Sequence, residues 1–245
     1  MINKEIIDEL ISWIRDYVNN TGAKGVTLGM SGGKDSMIVA KLCTLALGEE
    51  NVFGVIMPNG EMIDKSDAVR TCELLNIPYT TINIKDMFDS AIKNTENALN
   101  MPLSSVTTIN TAPRIRMMQL YAIAGTLNYL VANTSNLSEA SVGYCTKWGD
   151  NVGDFAPLLN FTKTEVCEIG LMLGLPDELV NKIPSDGLTG KSDETKLGFS
   201  YFELDNLIRN NVKGENYDKI VRLNKITKHK RDAIARFNNN IKNYL

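Results

Sequence analysis

Between residues 3 and 20 the apolar positions Ile6, Ile7, Leu10, Ile11, Ile14, Tyr17 and Val18 recur at helical spacing and stop at Asn20 and Gly22, which predicts an amphipathic helix. A short apolar run, Val26 to Met30, comes next, and after a glycine-rich interruption the chain is apolar again from Met37 to Leu47. That order predicts a strand, a turn and a helix. The unit then repeats. Asn51 to Met57 reads as a strand between Gly48 and Pro58-Asn59-Gly60, followed by a helix from about Asp64 to Asn76 with Asp64 at its cap. Tyr79 to Ile84 reads as a third strand, and Met87, Phe88, Ala91, Ile92, Thr95 and Leu99 as one face of the next helix. Three strand-then-helix units in succession predict an α/β fold, a doubly wound and mostly parallel sheet flanked by helices. In such sheets ligands sit at the carboxyl ends of the strands.

Asn100 to Ala112 is polar and β-branched, and Pro113 suits the first turn of a helix running from Arg114 to Leu130. Ile115, Met118, Leu120, Tyr121, Ala122, Ala124, Leu127 and Leu130 cover more than one stripe of that helix. It is therefore buried on several sides, either against a partner subunit or at the centre of a monomer core. Tyr129 to Asn133 enters a fourth strand, and Thr134 to Asp154 is a long polar loop carrying Tyr144 and Trp148, which either stack on a ring or pack in the core. Thr162-Lys163-Thr164-Glu165 is a capping box ahead of Val166, Ile169, Leu171 and Leu173. A second polar loop spans Ile183 to Leu197. Helices are expected at about Tyr201 to Asn210 and Tyr217 to Thr227, with a basic one last.

The chemistry concentrates in the first interruption, Gly29-Met30-Ser31-Gly32-Gly33-Lys34-Asp35-Ser36. Adjacent glycines allow a tight turn and close approach of a ligand. Amides at the following helix start, with the helix dipole, favour an anion there. Ser31 and Ser36 add hydroxyl donors. Asp35 would repel a phosphate unless a divalent cation bridged the two, so the loop reads as a phosphate cradle with magnesium. It is not a GxxxxGK[ST] loop, because the glycine spacing differs and Lys34 precedes an acid.

Composition narrows the partners. A formal net charge of -3 lacks the basic excess of a nucleic-acid surface, so no nucleic-acid partner is expected. Cys43, Cys72, Cys145 and Cys167 form no CxxC pair, and buried free thiols are expected in place of zinc or a disulfide framework. No secretory pattern and no membrane-length apolar run occurs, which fits a cytoplasmic enzyme with no membrane partner.

The string SGGxDS resembles the pyrophosphate loop of the ATP pyrophosphatases. Five further stretches narrow the resemblance: Asn110 to Arg116, Thr134-Ser135-Asn136-Leu137-Ser138-Glu139, Gly143-Tyr144-Cys145-Thr146-Lys147-Trp148-Gly149-Asp150, Lys163-Thr164-Glu165 and Asp193-Glu194. In order and spacing they are similar to the bacterial ammonia-dependent NAD synthetases over nearly the whole chain. The resemblance implies an adenine nucleotide alpha hydrolase-like fold, one domain over residues 1 to 245 with a helical part from about 200. It also implies ATP-dependent amidation of deamido-NAD with ammonia through an adenylate. By that resemblance Gly29, Met30, Ser31, Gly32, Gly33, Lys34, Asp35, Ser36, Thr134, Lys163 and Ser185 bind ATP. Asp35 and Glu139 hold magnesium, Asp35 and Lys163 serve catalysis, and Lys163 neutralises phosphate charge. Arg114, Lys147, Asp154, His229 and Lys230 bind deamido-NAD, at a site on a homodimer interface. Lys163 and Arg114 would each be cations at helix starts, where the dipole disfavours them unless an anion is near. Around His229, the run Lys225 to Arg231 also reads simply as a charged helical face.

Thr189, Cys145 and the asparagine-rich tail depart from the family pattern, in the second polar loop and among the expected deamido-NAD contacts. A fused glutaminase finds no room within 245 residues, so free ammonia, or ammonia from a separate glutaminase, is the expected donor. Two rival readings remain: another adenylating pyrophosphatase, such as a GMP synthetase ATP domain, a tRNA thiolase or a deazapurine nitrile synthase, and a non-catalytic adenine-nucleotide binder. The thiolase and nitrile synthase would show paired cysteines or a basic face, whereas Asp35 with Glu139 argues against a mere binder.

Overall fold

The computed structural model describes residues 2–182 and 192–235. Helix α1 (Lys4–Thr21) begins at Asn3, whose side chain accepts from the Ile6 amide, and leads into β1 (Gly25–Gly29). The chain continues through α2 (Lys34–Leu47), β2 (Val52–Ile56), α3 (Lys65–Leu74), β3 (Tyr79–Thr81), α4 (Lys85–Leu99), α5 (Ser105–Leu127) and β4 (Tyr129–Val131). Then follow α6 (Leu137–Val142), α7 (Lys163–Met172), α8 (Asp177–Val180), α9 (Asp193–Leu197), α10 (Tyr201–Asn210) and α11 (Tyr217–Ile226). The four strands are parallel in the order β3-β2-β1-β4.

Strand alternation divides the core between two faces. Val26, Leu28, Val52 and Ile56 point to the side covered by α1, α2, α3 and α7, where Ile14, Ile38, Leu42 and Ile169 complete the largest cluster. Val55 and Val131 point the other way, into a cluster with Ile84, Ile115, Leu120 and Ala124 under α4 and α5. Gly25 is required in β1, because a Cβ there would lie 2.3 Å from the Asn51 carbonyl oxygen. A third cluster, Val142, Leu197, Phe199, Tyr201, Leu204 and Ile220, holds the C-terminal helices together. All four cysteines are free, and burial pushes the Cys43 thiol up to about 12 and Cys72 to about 11. Among the described residues no helix is long and apolar enough to cross a membrane.

Four expectations need correction, one being the second polar loop, whose end Asp193–Leu197 is helix α9, capped by Ser192. Helix α5 starts at Ser105, capped by the Ser104 hydroxyl, so Pro113 lies inside it and Arg114 in its middle. The first two turns expose Val106 and Ile109, leaving no buried stripe from which to read a helix. The dipole argument for an anion at Arg114 therefore falls. The stretch Thr134 to Asp154 is not all loop, since α6 forms within it, capped by Asn136. The basic final helix reduces, among the described residues, to a single 3-10 turn at Lys228–Lys230.

Helix α10 is tied to α7 through Arg209, whose Nε and Nη2 donate to Glu165 Oε1 and Oε2, both at 2.7 Å. Burial raises the Glu165 carboxyl, but the Arg209 bonds and the Thr162 amide outweigh it and hold the group below its ordinary value. A carboxylate held low contributes stability above its unfolded value and loses it as pH falls through the folded one. The side chain of Arg209 is 41% exposed, so screening limits the pair. Arg209→Ala is expected to cost about 1 kcal/mol or less at pH 7 and to cost less at pH 3, because Glu165 loses its charge as pH falls through its folded value. Urea melts at the two pH values check this; an equal cost at both would overturn it.

Candidate active site

The glycine loop sits where the topology requires, between the carboxyl end of β1 and the start of α2. Gly33 is the N-cap of α2, and Gly32 has φ +76° with Asp64 packed so close that a Cβ would lie 2.3 Å from its carbonyl oxygen. Both facts demand glycine. Ser31 Oγ accepts from the Gly33 amide at 3.2 Å, and Ser36 Oγ donates to the Gly33 carbonyl at 2.9 Å, so the two hydroxyls shape the loop. Met30 is buried and its amide donates to Val55, anchoring the loop to the sheet. The Lys34 ammonium turns away, 3.4 Å from Cys167 Sγ on α7.

Asp35, in the first turn of α2, meets residues from two other elements. Lys163, the first residue of α7, donates to Asp35 Oδ2 at 2.6 Å and to Glu139 Oε1 at 2.8 Å. Lys163 is only 6% exposed. Burial works against its charge, yet Asp35 and Glu139 hold its ammonium well above the usual lysine range. Burial pushes the Glu139 carboxyl up and Asp35 adds to this, while Lys163 partly offsets both. The expected lysine at a helix start therefore does face negative charge, that of two carboxylates. Asp35 Oδ1 is buried without a hydrogen-bond partner.

That orphaned oxygen tests whether a cation belongs here. A buried carboxylate oxygen left unpaired is costly unless something positive meets it. Asp35 and Glu139 make a two-carboxylate donor set suited to magnesium, which takes one or two protein carboxylates with the rest of its shell from substrate phosphate and water. No group of three or more acidic, histidine or cysteine side chains suited to a metal occurs among the described residues.

The substrate-binding candidates lie apart. Arg114 Nε donates to the Lys147 carbonyl at 3.2 Å, Lys147 Nζ to the His229 carbonyl at 2.7 Å, and Lys230 Nζ to the Gly143 and Cys145 carbonyls at 2.7 Å. Lys147 on the loop after α6, His229 and Lys230 on the turn seated on that loop, and Arg114 from α5 are thus brought together. Asp154 is elsewhere, at the end of β4, where its Oδ2 accepts from the Val131 amide at 2.7 Å and its Oδ1 from Tyr121 Oη at 3.3 Å. Thr134 is half-buried just after β4, beside Asn133 and Ser135. Ser185 and Thr189 lie outside the described residues. Trp148, 53% exposed with φ +62°, is held out of the core in a conformation bulky residues rarely adopt. Tyr144 instead packs on the C-terminal cluster and donates to Asp193.

Sequence reasoning passed over Asn136. Its Oδ1 caps α6 by accepting from the Glu139 amide at 3.0 Å, while its Nδ2 donates to Asp35 Oδ2 at 3.4 Å. One buried amide thus aims both candidate metal acids. The spacing Asn136-x-x-Glu139 is itself a helix-start signal that would have found it.

A family model for NAD synthase matches residues 6–242. The chain belongs to the NAD synthase family. The "NH(3)-dependent NAD(+) synthetase" of Thermococcus sibiricus is 45% identical over 205 residues, which make up 83% of this chain and 79% of that relative. Among solved structures, an NMN synthetase from Francisella tularensis superposes with a TM-score of 0.90 at 33% identity, covering 97% of this chain and 99% of the other. An NH3-dependent NAD synthetase from Campylobacter jejuni superposes at 0.81 with 30% identity, covering 97% and 100%. The family assignment matches the fold and its parallel sheet, and it bears out the resemblance drawn from the motifs.

Proposed function

We propose that this NAD synthase family member uses ATP to amidate deamido-NAD with ammonia, releasing NAD+, AMP and pyrophosphate, the last step of NAD biosynthesis. The observation that carries the reading is the buried bridge of Lys163 between Asp35 and Glu139 beside the glycine turn. A carboxylate is a poor acyl acceptor until it gains a leaving group. The nicotinate carboxylate of deamido-NAD attacks the α-phosphorus of ATP, the bond to the β-phosphate oxygen breaks, and pyrophosphate departs. Ammonia then attacks the carbonyl carbon of the adenylate, a proton leaves the nitrogen, and AMP departs.

The chain's own groups serve this sequence by position and charge. The Gly29 to Ser36 turn, and in it the amides of the first turn of α2, which lack intrahelical partners, meet the phosphates of ATP. Lys163 pairs with Asp35 and Glu139 and brings a positive charge beside the phosphates. Bound by Asp35 and Glu139, magnesium supplies further positive charge for the departing pyrophosphate. Thr134 and Ser185 complete the ATP contacts in this reading, and Arg114, Lys147, Asp154, His229 and Lys230 take deamido-NAD. Residues 1 to 245 act as one cytoplasmic catalytic unit with ammonia as donor. A homodimer places the deamido-NAD site at its interface; the exposed Val106, Ile109, Met118 and Tyr121 of α5 support this, and sedimentation at twice the chain mass is the expected result.

Mass-spectrometric product analysis tests the reaction. With ATP, magnesium, ammonium and deamido-NAD all present, NAD, AMP and pyrophosphate are expected together in catalytic amounts, and no NAD when any one component is omitted. The superposition on an NMN synthetase favours a second reading, in which nicotinate mononucleotide is the acyl substrate. The same assay decides between them: a kcat/KM for the mononucleotide above that for deamido-NAD would replace the first reading with the second.

A further inference from the structure

Helix α7 carries Lys163 as its first residue, so its N-terminal amides must find partners outside the helix if the lysine is to be held still. The Thr162 hydroxyl takes the Glu165 amide, and Glu165 Oε2 takes the Thr162 amide at 2.7 Å, closing the capping box. The Lys163 amide donates to Ser138 Oγ at 2.9 Å, and the Thr164 amide to Asp205 Oδ2 at 2.8 Å. Every amide from Thr162 to Glu165 is thereby assigned.

Two of those four bonds depend on one side chain. Asp205 comes from α10 and is 6% exposed. Its Oδ1 accepts from the hydroxyl of the fully buried Ser138, and its Oδ2 accepts from the Thr164 hydroxyl at 2.7 Å as well as from the Thr164 amide. Ser138 directly precedes Glu139, and Thr164 directly follows Lys163. Arg209, one turn along α10, is engaged with Glu165 and the Asn160 carbonyl instead. The Asp205 carboxylate is thus satisfied by hydrogen-bond donors and by the positive end of α7, a placement that favours an anion.

We infer that Asp205 is a positioning residue for the adenylation site: one buried carboxylate from the C-terminal helices locks α6 to α7 so that Glu139 and Lys163 converge on Asp35. An apolar residue of similar size would fill the same space without specifying the relative placement of the two helices. Outer partners of this kind change activity by about 10–100-fold when removed, although they touch no substrate. The inference rests on the amidation reading above. Turnover by the wild-type chain establishes that reading in the same assay, so a fully active Asp205 variant would overturn the positioning role alone.

The test compares Asp205→Asn with Ser138→Ala and Thr164→Val, which keep the carboxylate; Thr164→Val removes one hydroxyl bond to it, and Ser138→Ala removes one to it and one from the Lys163 amide. Asp205→Asn is expected to lower kcat about 10–100-fold, with KM for deamido-NAD within about twofold of wild type and near-UV circular dichroism unchanged. The two hydroxyl variants are expected to lower kcat by a smaller factor, about 3–10-fold, with melting temperatures near wild type. A second readout needs no turnover. In a crystal structure of Asp205→Asn, the Lys163 ammonium is expected to have left hydrogen-bonding distance of Asp35 or Glu139. Full kcat in Asp205→Asn, or unchanged kcat in both hydroxyl variants, would overturn the inference. So would a kcat loss matched by an equal rise in KM, because that pattern marks general loosening of the fold.

Discussion

Asp35→Ala is expected to reduce turnover by about 10^3-fold or more while leaving the protein folded. The estimate combines loss of a metal-holding carboxylate with loss of the charge that fixes Lys163, where removing a single preorganised group commonly costs about 10^2–10^3. Stability should suffer less than turnover, although Lys163 and Asn136 each lose a bond to Oδ2. Lys163 keeps Glu139 as a partner at 2.8 Å, and the substitution removes a buried oxygen that has no partner of its own. Activity and stability therefore separate, as they do where a protein carries local strain for its chemistry. Pyrophosphate release and a thermal melt on the same preparation check both halves. Turnover above a tenth of wild type would end the assignment of Asp35 to the reaction, and a large fall in melting temperature would contradict the account of its orphaned oxygen.

Lys163→Met should show the opposite pattern, losing both. Turnover is expected to fall about 10^2–10^3-fold, and stability by about 3 kcal/mol at pH 8, because breaking a buried ion pair from one side leaves uncompensated charge. Here two carboxylates would face each other with the cation gone. Burial already raises Glu139 and Asp35 raises it further, while Lys163 is the group that lowers it. Without the lysine the folded-state value rises again. A carboxyl raised on folding contributes stability that is present below its unfolded value and lost as pH rises through the folded one. The stability deficit of Lys163→Met should thus be largest at pH 8 and shrink at pH 5, where a proton can replace the lost charge. Denaturant melts of both proteins at the two pH values measure it. A deficit independent of pH would mean that Lys163 contributes packing and not charge.

Much of the fold follows from local pattern. The short apolar runs and the helical periodicity up to Leu99 yield each strand and helix to within a few residues, because those elements pack against a common core and carry its pattern. Helix α5 escaped at its start for the reverse reason. Its first turns bury little, and Pro113 is tolerated inside it. Helix α6 escaped because it is six residues long and its helix-start signal, Asn136 with Glu139, lies within a polar stretch.

The candidate site divides in the same way. Chain order alone specifies the glycine turn, since its chemistry is contiguous: two glycines, two hydroxyls and an acid ahead of a helix. It also specifies which acids and lysine to suspect, through short motifs around Thr134 to Glu139 and Lys163 to Glu165. What each of those groups does depends on partners 24 to 128 residues away. Lys163 reads locally as an unfavourable charge at a helix start, and becomes intelligible only when α2 and α6 bring Asp35 and Glu139 to it. Asp205 reads as one more polar residue on an amphipathic helix until α10 packs against α6 and α7. Local pattern governs backbone conformation because propensity and burial act over one or two turns. Charge and hydrogen bonding in a buried site act through space, so only the tertiary structure decided which residues hold the two acids and their lysine together.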